Sequence, residues 1–425
     1  MAKIVIKAGY MIDPGSEKEG IYDILIEDEK IIEVGEALSY SSVDETINAK
    51  GKYVVPGFID LQVNPGNTIE YISDILPFCG ITTPLVMPCN TYKGVPIIEH
   101  YGGLKKMLQA CEGLSTNIAT AISIEPPDTK GHETYEKLAV PLNGLSHRIE
   151  ELIDLGVTSL GEVVLPLGGT AHIESHMSEE FLDRLLDETQ KYDIPILLHT
   201  GLGLKGITEA VGLSKGRNMH ICHVGSTCSQ DSIHAALKLL EENPHITTDT
   251  HLSEVAGSTS RNSKLVIDYF HRGEVVNIDP TNLKVTKVSE ITTAQPPFYY
   301  NKVNLFENNL TCALSDRVEA IESDELGDGI RGRILLKNLF RLVNSVALEH
   351  AKVKLLSKFI KKLTINPAKI LKIKRGTLEV GAFADIVCLD LEQERVDTVL
   401  VNGTKVIADG KTTGAKPGKR IGYKG

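Results

Sequence analysis

No C-x-x-C pair occurs among the seven cysteines, which fall at 79, 89, 111, 222, 228, 312 and 388. Scattered and odd in number, they read as reduced cytosolic thiols and argue against a zinc knuckle. No apolar run approaches the length of a membrane span, so no membrane role is expected. The segment Met1-Ala2-Lys3-Ile4-Val5-Ile6 alternates like a strand and lacks the long apolar core of a signal peptide, which points to a cytoplasmic protein. There is no basic stripe, and the net charge is −11, so a nucleic-acid partner is not expected. The nearest basic cluster, Lys411, Lys416, Lys419, Arg420 and Lys424, reads as a solvated tail. Internal repeats and low-complexity tracts are also missing. What remains is 425 residues, 42% apolar and 24% charged, enough for one large domain and a smaller one.

Residues 1 to 52 read as short antiparallel strands. Lys3–Lys7, Tyr22–Glu27 and Lys30–Val34 alternate apolar and polar, with turns at Asp13-Pro14-Gly15 and Glu27-Asp28-Glu29. From Tyr53 to Ile373 the rhythm becomes strand, loop, helix. Eight short apolar runs are candidate strands: Val54–Asp60, Ile81–Met87, Asn117–Ile124, Val157–Val164, Ile194–His199, Met219–Val224, Ile246–Thr250 and Leu310–Leu314. Helical patterns separate most of them, for example 103–111, 147–155, 178–192 and 230–242; Ser178 with Glu179 and Glu180 makes a good helix start. Strands alternating with helices predict a parallel sheet, and eight such units predict a barrel. The stretch from Ser253 to Lys302 reads as an irregular excursion over the site; Arg261, Lys264 and Arg272 in it read as solvated loop charges, with a grip on an anionic group as the alternative. The chain ends in β again, with a hairpin turning at Asn402-Gly403.

Four motifs carry a resemblance. Pro56-Gly57-Phe58-Ile59-Asp60 opens the barrel region. Gly80-Ile81-Thr82-Thr83 runs on to Met87-Pro88-Cys89-Asn90-Thr91. His220-Ile221-Cys222-His223-Val224 follows later. Gly376-Thr377-Leu378 leads into Ala384-Asp385-Ile386-Val387, and Val399 into Asn402-Gly403. Together they resemble the amidohydrolase superfamily nearly end to end, with dihydroorotases, hydantoinases and allantoinases as the similar subgroup. The resemblance implies an α/β chain: a (β/α)8 TIM-like barrel over 53–373, and a small β-sandwich domain built from both termini, 1–52 plus 374–425. It also implies a metal-dependent amidohydrolase. Many relatives are dimers or tetramers, so a homo-oligomer is compatible with it.

The superfamily usually opens with P-G-F-I-D-x-H-x-H; here Gln62 and Asn64 replace both histidines. Amides are poor ligands beside imidazole and carboxylate, so the α-metal site of the superfamily should be empty. His199 and His223 end consecutive strands. One histidine at a strand end is more often a core residue than a ligand, but two at corresponding places can converge on one ion. Three residues before His223, His220 should face the other way and be structural. The strand-four lysine of the superfamily is absent. Glu162 stands in an apolar strand there, where an unpaired carboxylate is expensive; Glu125 is its rival. The resemblance then assigns Glu162, His199 and His223 to the metal. It assigns Asp316, after the eighth run, to proton transfer; a helix cap or a partner for Arg317 is the plainer reading of that residue. Gln62, Asn64, Asn90 and His251 are the substrate-contact candidates, a turn role for Asn90 being about as good.

This set resembles the one-metal form of N-acetylglucosamine phosphate deacetylases, in the metal site alone, since their H-x-E-G-P and N-A-M segments are absent. A true dihydroorotase also carries an arginine just after H-x-H, where Pro65-Gly66-Asn67 stands here. The expectation is therefore hydrolysis of a C–N bond in a small-molecule cyclic amide or N-acyl substrate. It would use one divalent ion, zinc first, with iron and manganese as alternatives. The competing expectation is an inactive dihydroorotase-like scaffold or assembly partner.

Overall fold

The computed structural model describes residues 3–40, 42–88, 91–127, 138–164, 178–200, 203–260, 267–271, 274–287 and 305–425. Eight parallel strands form the central sheet in chain order: Phe58–Val63, Ile81–Val86, Ala119–Ile122, Ser159–Val164, Ile196–His199, Met219–Ile221, Ile246–His251 and Ala320–Glu322. The first and last meet through a parallel bridge between Val63 and Glu325, which closes a (β/α)8 barrel. Its interior is filled by alternate residues of the strands, among them Ile59, Leu61, Leu85, Ala119, Ala121, Leu197 and Ala320. Outside, helices such as Leu145–Asp154, Glu179–Tyr192 and Ile233–Glu241 lay one apolar face on the strands. Ser178 does cap its helix, accepting a hydrogen bond from the Phe181 amide at 3.1 Å.

Both chain ends share a second sheet of nine strands, running from Lys3–Asp13 at one end of the sequence to Lys411–Thr412 at the other. The apolar run at 53–60 is split between the two sheets: Tyr53–Pro56 pairs with Ile386–Asp390, and Phe58–Val63 opens the barrel. Gly57 makes the crossing, and a Cβ there would lie 2.1 Å from the Thr82 hydroxyl. The closing motifs also have a mechanical use. Asp385 accepts hydrogen bonds from Arg375, the Asn402 amide and Asn117; Asn402 in turn donates to Asn117, which leads into the third barrel strand. This buried polar knot ties the sheet to the barrel.

Three expectations need correcting. Leu310–Leu314 is not the eighth strand; it ends a helix, Leu305–Leu314, whose buried residues Leu305, Asn308, Asn309, Cys312 and Ala313 follow helical spacing. The excursion after Ser253 is not irregular where described. It carries a four-stranded antiparallel sheet of Ala256–Ser260, Ile267–His271, Glu274–Ile278 and Val285–Lys287; Arg261, Lys264 and Arg272 lie outside the described residues. The basic C-terminus is not a free tail. Ile118, just before the third barrel strand, donates to the Lys419 carbonyl and accepts from the Ile421 amide at the amino-terminal mouth of the barrel, and Lys416, Lys419 and Lys424 pair with Asp74, Glu29 and Asp193.

Candidate active site

The polar residues of the interior gather at the carboxyl ends of the strands. Glu162 lies within the fourth strand, and its neighbour Val164 is in register with His199, the last residue of the fifth. His223 follows the sixth strand by two residues. Its backbone turns left-handed there, at φ 40°, which costs a non-glycine residue about 1 kcal/mol but swings the ring inward. The turn is held by Asp249, which accepts the His223 amide on one oxygen and bonds His220 Nε2 at 2.9 Å on the other. His220 is bonded also to Thr247, so its ring is held by Asp249 and Thr247.

Three atoms converge as a result. Glu162 Oε1 lies 2.9 Å from His199 Nδ1 and 3.0 Å from His223 Nε2, and the two ring nitrogens are 3.0 Å apart. In a tetrahedral zinc site, bonds of about 2.0–2.1 Å put ligand atoms about 3.3 Å from each other. The donor set and its spacing therefore fit a single divalent ion at a closed face of three protein ligands. Burial alone would raise the Glu162 carboxyl. The charge of His199 and hydrogen bonds from both imidazoles outweigh it and hold that carboxyl well below the usual carboxylate range. His223 moves the other way. Burial opposes its charging, yet the carboxylates of Glu162, Asp324 and Asp249 raise it.

Asp316 is not part of this group. It precedes the eighth strand, at the amino-terminal mouth, with its side chain 94% exposed and 2.8 Å from Lys358. In a parallel barrel that is the wrong end for chemistry shared with Glu162 and His199. The residue at the carboxyl end of the eighth strand is Asp324, in Ala320-Ile321-Glu322-Ser323-Asp324. It too is left-handed, at φ 49°. Asp324 Oδ1 accepts from Asn64 Nδ2 at 3.4 Å, and Oδ2 lies 2.5 Å from Arg331 Nη1 and 3.7 Å from His251 Nε2. Burial raises its carboxyl, with Arg331 and His223 opposing. Ser323-Asp324 was available in the sequence as an S-D pair. The strand before it is three residues long with a glutamate at its end, which hides it behind the longer apolar run at 310–314.

His251 ends the seventh strand and is 1% exposed, its ring tilted 5.6 Å from that of His223 and its Nδ1 against Glu322. It belongs to the buried wall of the site rather than to an open surface. Gln62 is buried on the first strand, and its carbonyl oxygen has no hydrogen-bond partner among the described residues. Asn64 is buried beside Asp324. Asn90 lies outside the described residues. Sequence reasoning passed over Arg331 and Glu322. Nothing in their local pattern marks them, since one stands on a helix and the other ends a strand of three residues.

The profile of the amidohydrolase family matches residues 53–412. A dihydroorotase of Acetivibrio thermocellus is 25% identical over 92% of this chain and 90% of its own length. Among solved structures, N-acyl-D-glutamate deacylase from Bordetella bronchiseptica, complexed with zinc and a phosphonate inhibitor, superposes with a TM-score of 0.72 at 16% identity, covering 98% of this chain and 99% of that one. A D-aminoacylase structure, concerned with a binuclear centre showing one-metal activation and second-metal attenuation, gives 0.72 at 16% identity over 99% of both chains. With its barrel, its β domain and this match over most of its length, the chain belongs to the amidohydrolase family, hydrolases of carbon–nitrogen bonds other than peptide bonds.

Proposed function

We propose that the chain hydrolyses a cyclic amide or an N-acyl substrate at a centre for one divalent ion, zinc before iron or manganese. The observation that carries this is the convergence of Glu162, His199 and His223 on one point, at 2.9 to 3.0 Å, beside a fourth group, Asp324. A bound divalent ion supplies a Lewis acid that polarises a carbonyl and lowers the pKa of a water. Asp324 is the proton carrier: it takes a proton from the attacking water and returns it to the leaving nitrogen as the C–N bond breaks. Burial raises its carboxyl, the direction a proton carrier requires, against the opposing charges of Arg331 and His223. Gln62 and Asn64 offer amide groups, in place of two imidazoles, for hydrogen bonds to the substrate. The relatives span both substrate classes, the dihydroorotases on the cyclic side and the deacylases on the N-acyl side. The one-metal activation of D-aminoacylase supports the single-ion reading.

The experiment is a turnover screen of zinc-loaded protein against N-acyl amino acids, N-acetyl sugars and cyclic ureides, with Asp324→Asn as the control. Turnover of a member of the panel, lost in the variant, is expected. Turnover retained by Asp324→Asn would remove its role. A metal-free protein that turns over nothing would favour the scaffold reading, which the loss of both H-x-H histidines suits.

A further inference from the structure

Arg331 is among the largest fully buried side chains of the protein, at 0% exposure. A buried guanidinium needs compensation, and this one finds it inside the barrel mouth. It rises from the first turn of the helix Ile330–Asn344, with Nη1 at 2.5 Å from Asp324 Oδ2 and Nη2 at 3.4 Å from His251 Nε2. The loop that presents it is fixed. Glu325 Oε1 accepts the backbone amides of Leu326, Gly327, Asp328 and Gly329, and its Oε2 that of Gly332. The other Asp324 oxygen faces Asn64 Nδ2 at 3.4 Å. Both oxygens of this aspartate therefore meet nitrogen donors, one of them fully charged.

We infer that Arg331 is a built-in cation that takes the place of a second divalent ion: it positions and neutralises Asp324, and it keeps the region between Gln62, Asn64 and Asp324 closed to metal. Gln62 brings an amide oxygen to this region, but Asn64 turns its N–H toward Asp324, and a divalent ion there would have to sit against a guanidinium of like charge in a buried setting. On this account the exchange of both histidines for amides and the buried arginine are two parts of one arrangement. Restoring the histidines alone does not restore the ion. Arg331 is a positioning residue here, acting through Asp324. The inference rests on the single-ion reading above, but the two fail separately.

The test is zinc content by plasma mass spectrometry after loading and desalting. The wild-type count bears on the single-ion reading. The inference is read from a difference that does not depend on that count. The pair Gln62→His with Asn64→His, Arg331 intact, is expected to hold no more zinc than wild type. The same pair with Arg331→Met is expected to gain about one further ion per chain, and with Arg331→Lys, which keeps the charge, to gain none. Arg331→Gln serves in place of Arg331→Met if the latter fails to fold, with the same expectation. A second ion in the pair with Arg331 intact, or no gain when the charge is removed, would overturn the inference.

Discussion

At the scale of single residues the proposed proton carrier is Asp324 rather than Asp316. Asp324 stands at the carboxyl end of its strand among buried charges, while Asp316 is exposed at the other mouth and held by Lys358. Asp324→Asn should therefore lower kcat/KM on an active substrate by about 10²-fold or more, in line with loss of a general base. Asp316→Asn should leave it within about twofold; steady-state kinetics of the two variants decides between them. A second residue makes a pH prediction. Asp60, buried on the first strand, has its carboxyl pushed up to about 7, chiefly by burial, although Ser323 and the Gln62 amide hydrogen-bond to it. The folded chain thus holds this proton more tightly than the unfolded chain. The contribution to stability is full below the ordinary carboxylate range and is lost as pH rises through about 7. Denaturant titrations from about pH 8 down to about pH 5 should show wild type gaining on Asp60→Asn, by at most about 1.4 kcal/mol per pH unit. Parallel curves would show that Asp60 stays ionised throughout. The ligand candidates Glu162, His199 and His223 stood out because each lies within, at the end of or just after an apolar strand, at a position the family resemblance marks. Arg331 was not, because its partner Asp324 is distant from any pattern on the helix that carries it.

At the scale of elements, the strand-eight loop decides the geometry of the site. Glu325 is 0% exposed and gathers five backbone amides from the seven residues after it. Glu325→Gln, equal in shape, has only one accepting oxygen and no charge. It should cost about 2–4 kcal/mol of stability, as buried donors lose their acceptor, and a denaturation curve that does not move would contradict this. Elements were read unevenly from the sequence. Seven of the eight barrel strands begin or end within a few residues of apolar runs, since a strand buried on both faces is apolar throughout. The eighth failed because Ala320–Glu322 is short and ends in glutamate, while the helix at 305–314 closes on an apolar run. The excursion failed differently. Its antiparallel strands pack Tyr269, Val276 and Ile278 against Ile330 and Ile334, a tertiary contact with no local signal in the sequence.

At the scale of the whole molecule, the two termini are tied to the barrel that carries the site. The motif residues Asp385 and Asn402 clamp the terminal sheet to the barrel, and the C-terminal segment seals the end opposite the site. That overall plan was legible because whole motifs, and not single residues, carried it. The proposed ion would tie stability to metal through the same closeness of Glu162, His199 and His223. With zinc at about 100 times its Kd, linkage adds about 2.7 kcal/mol of stability. Chelation should lower the unfolding midpoint of wild type and leave that of Glu162→Gln unchanged. The most direct measurement is the metal count itself, by plasma mass spectrometry on wild type and Glu162→Gln prepared side by side with zinc, manganese and iron present. The account predicts about one divalent ion per wild-type chain and a clear loss in the variant. A folded wild type without metal, or a variant that keeps a full equivalent, would contradict it.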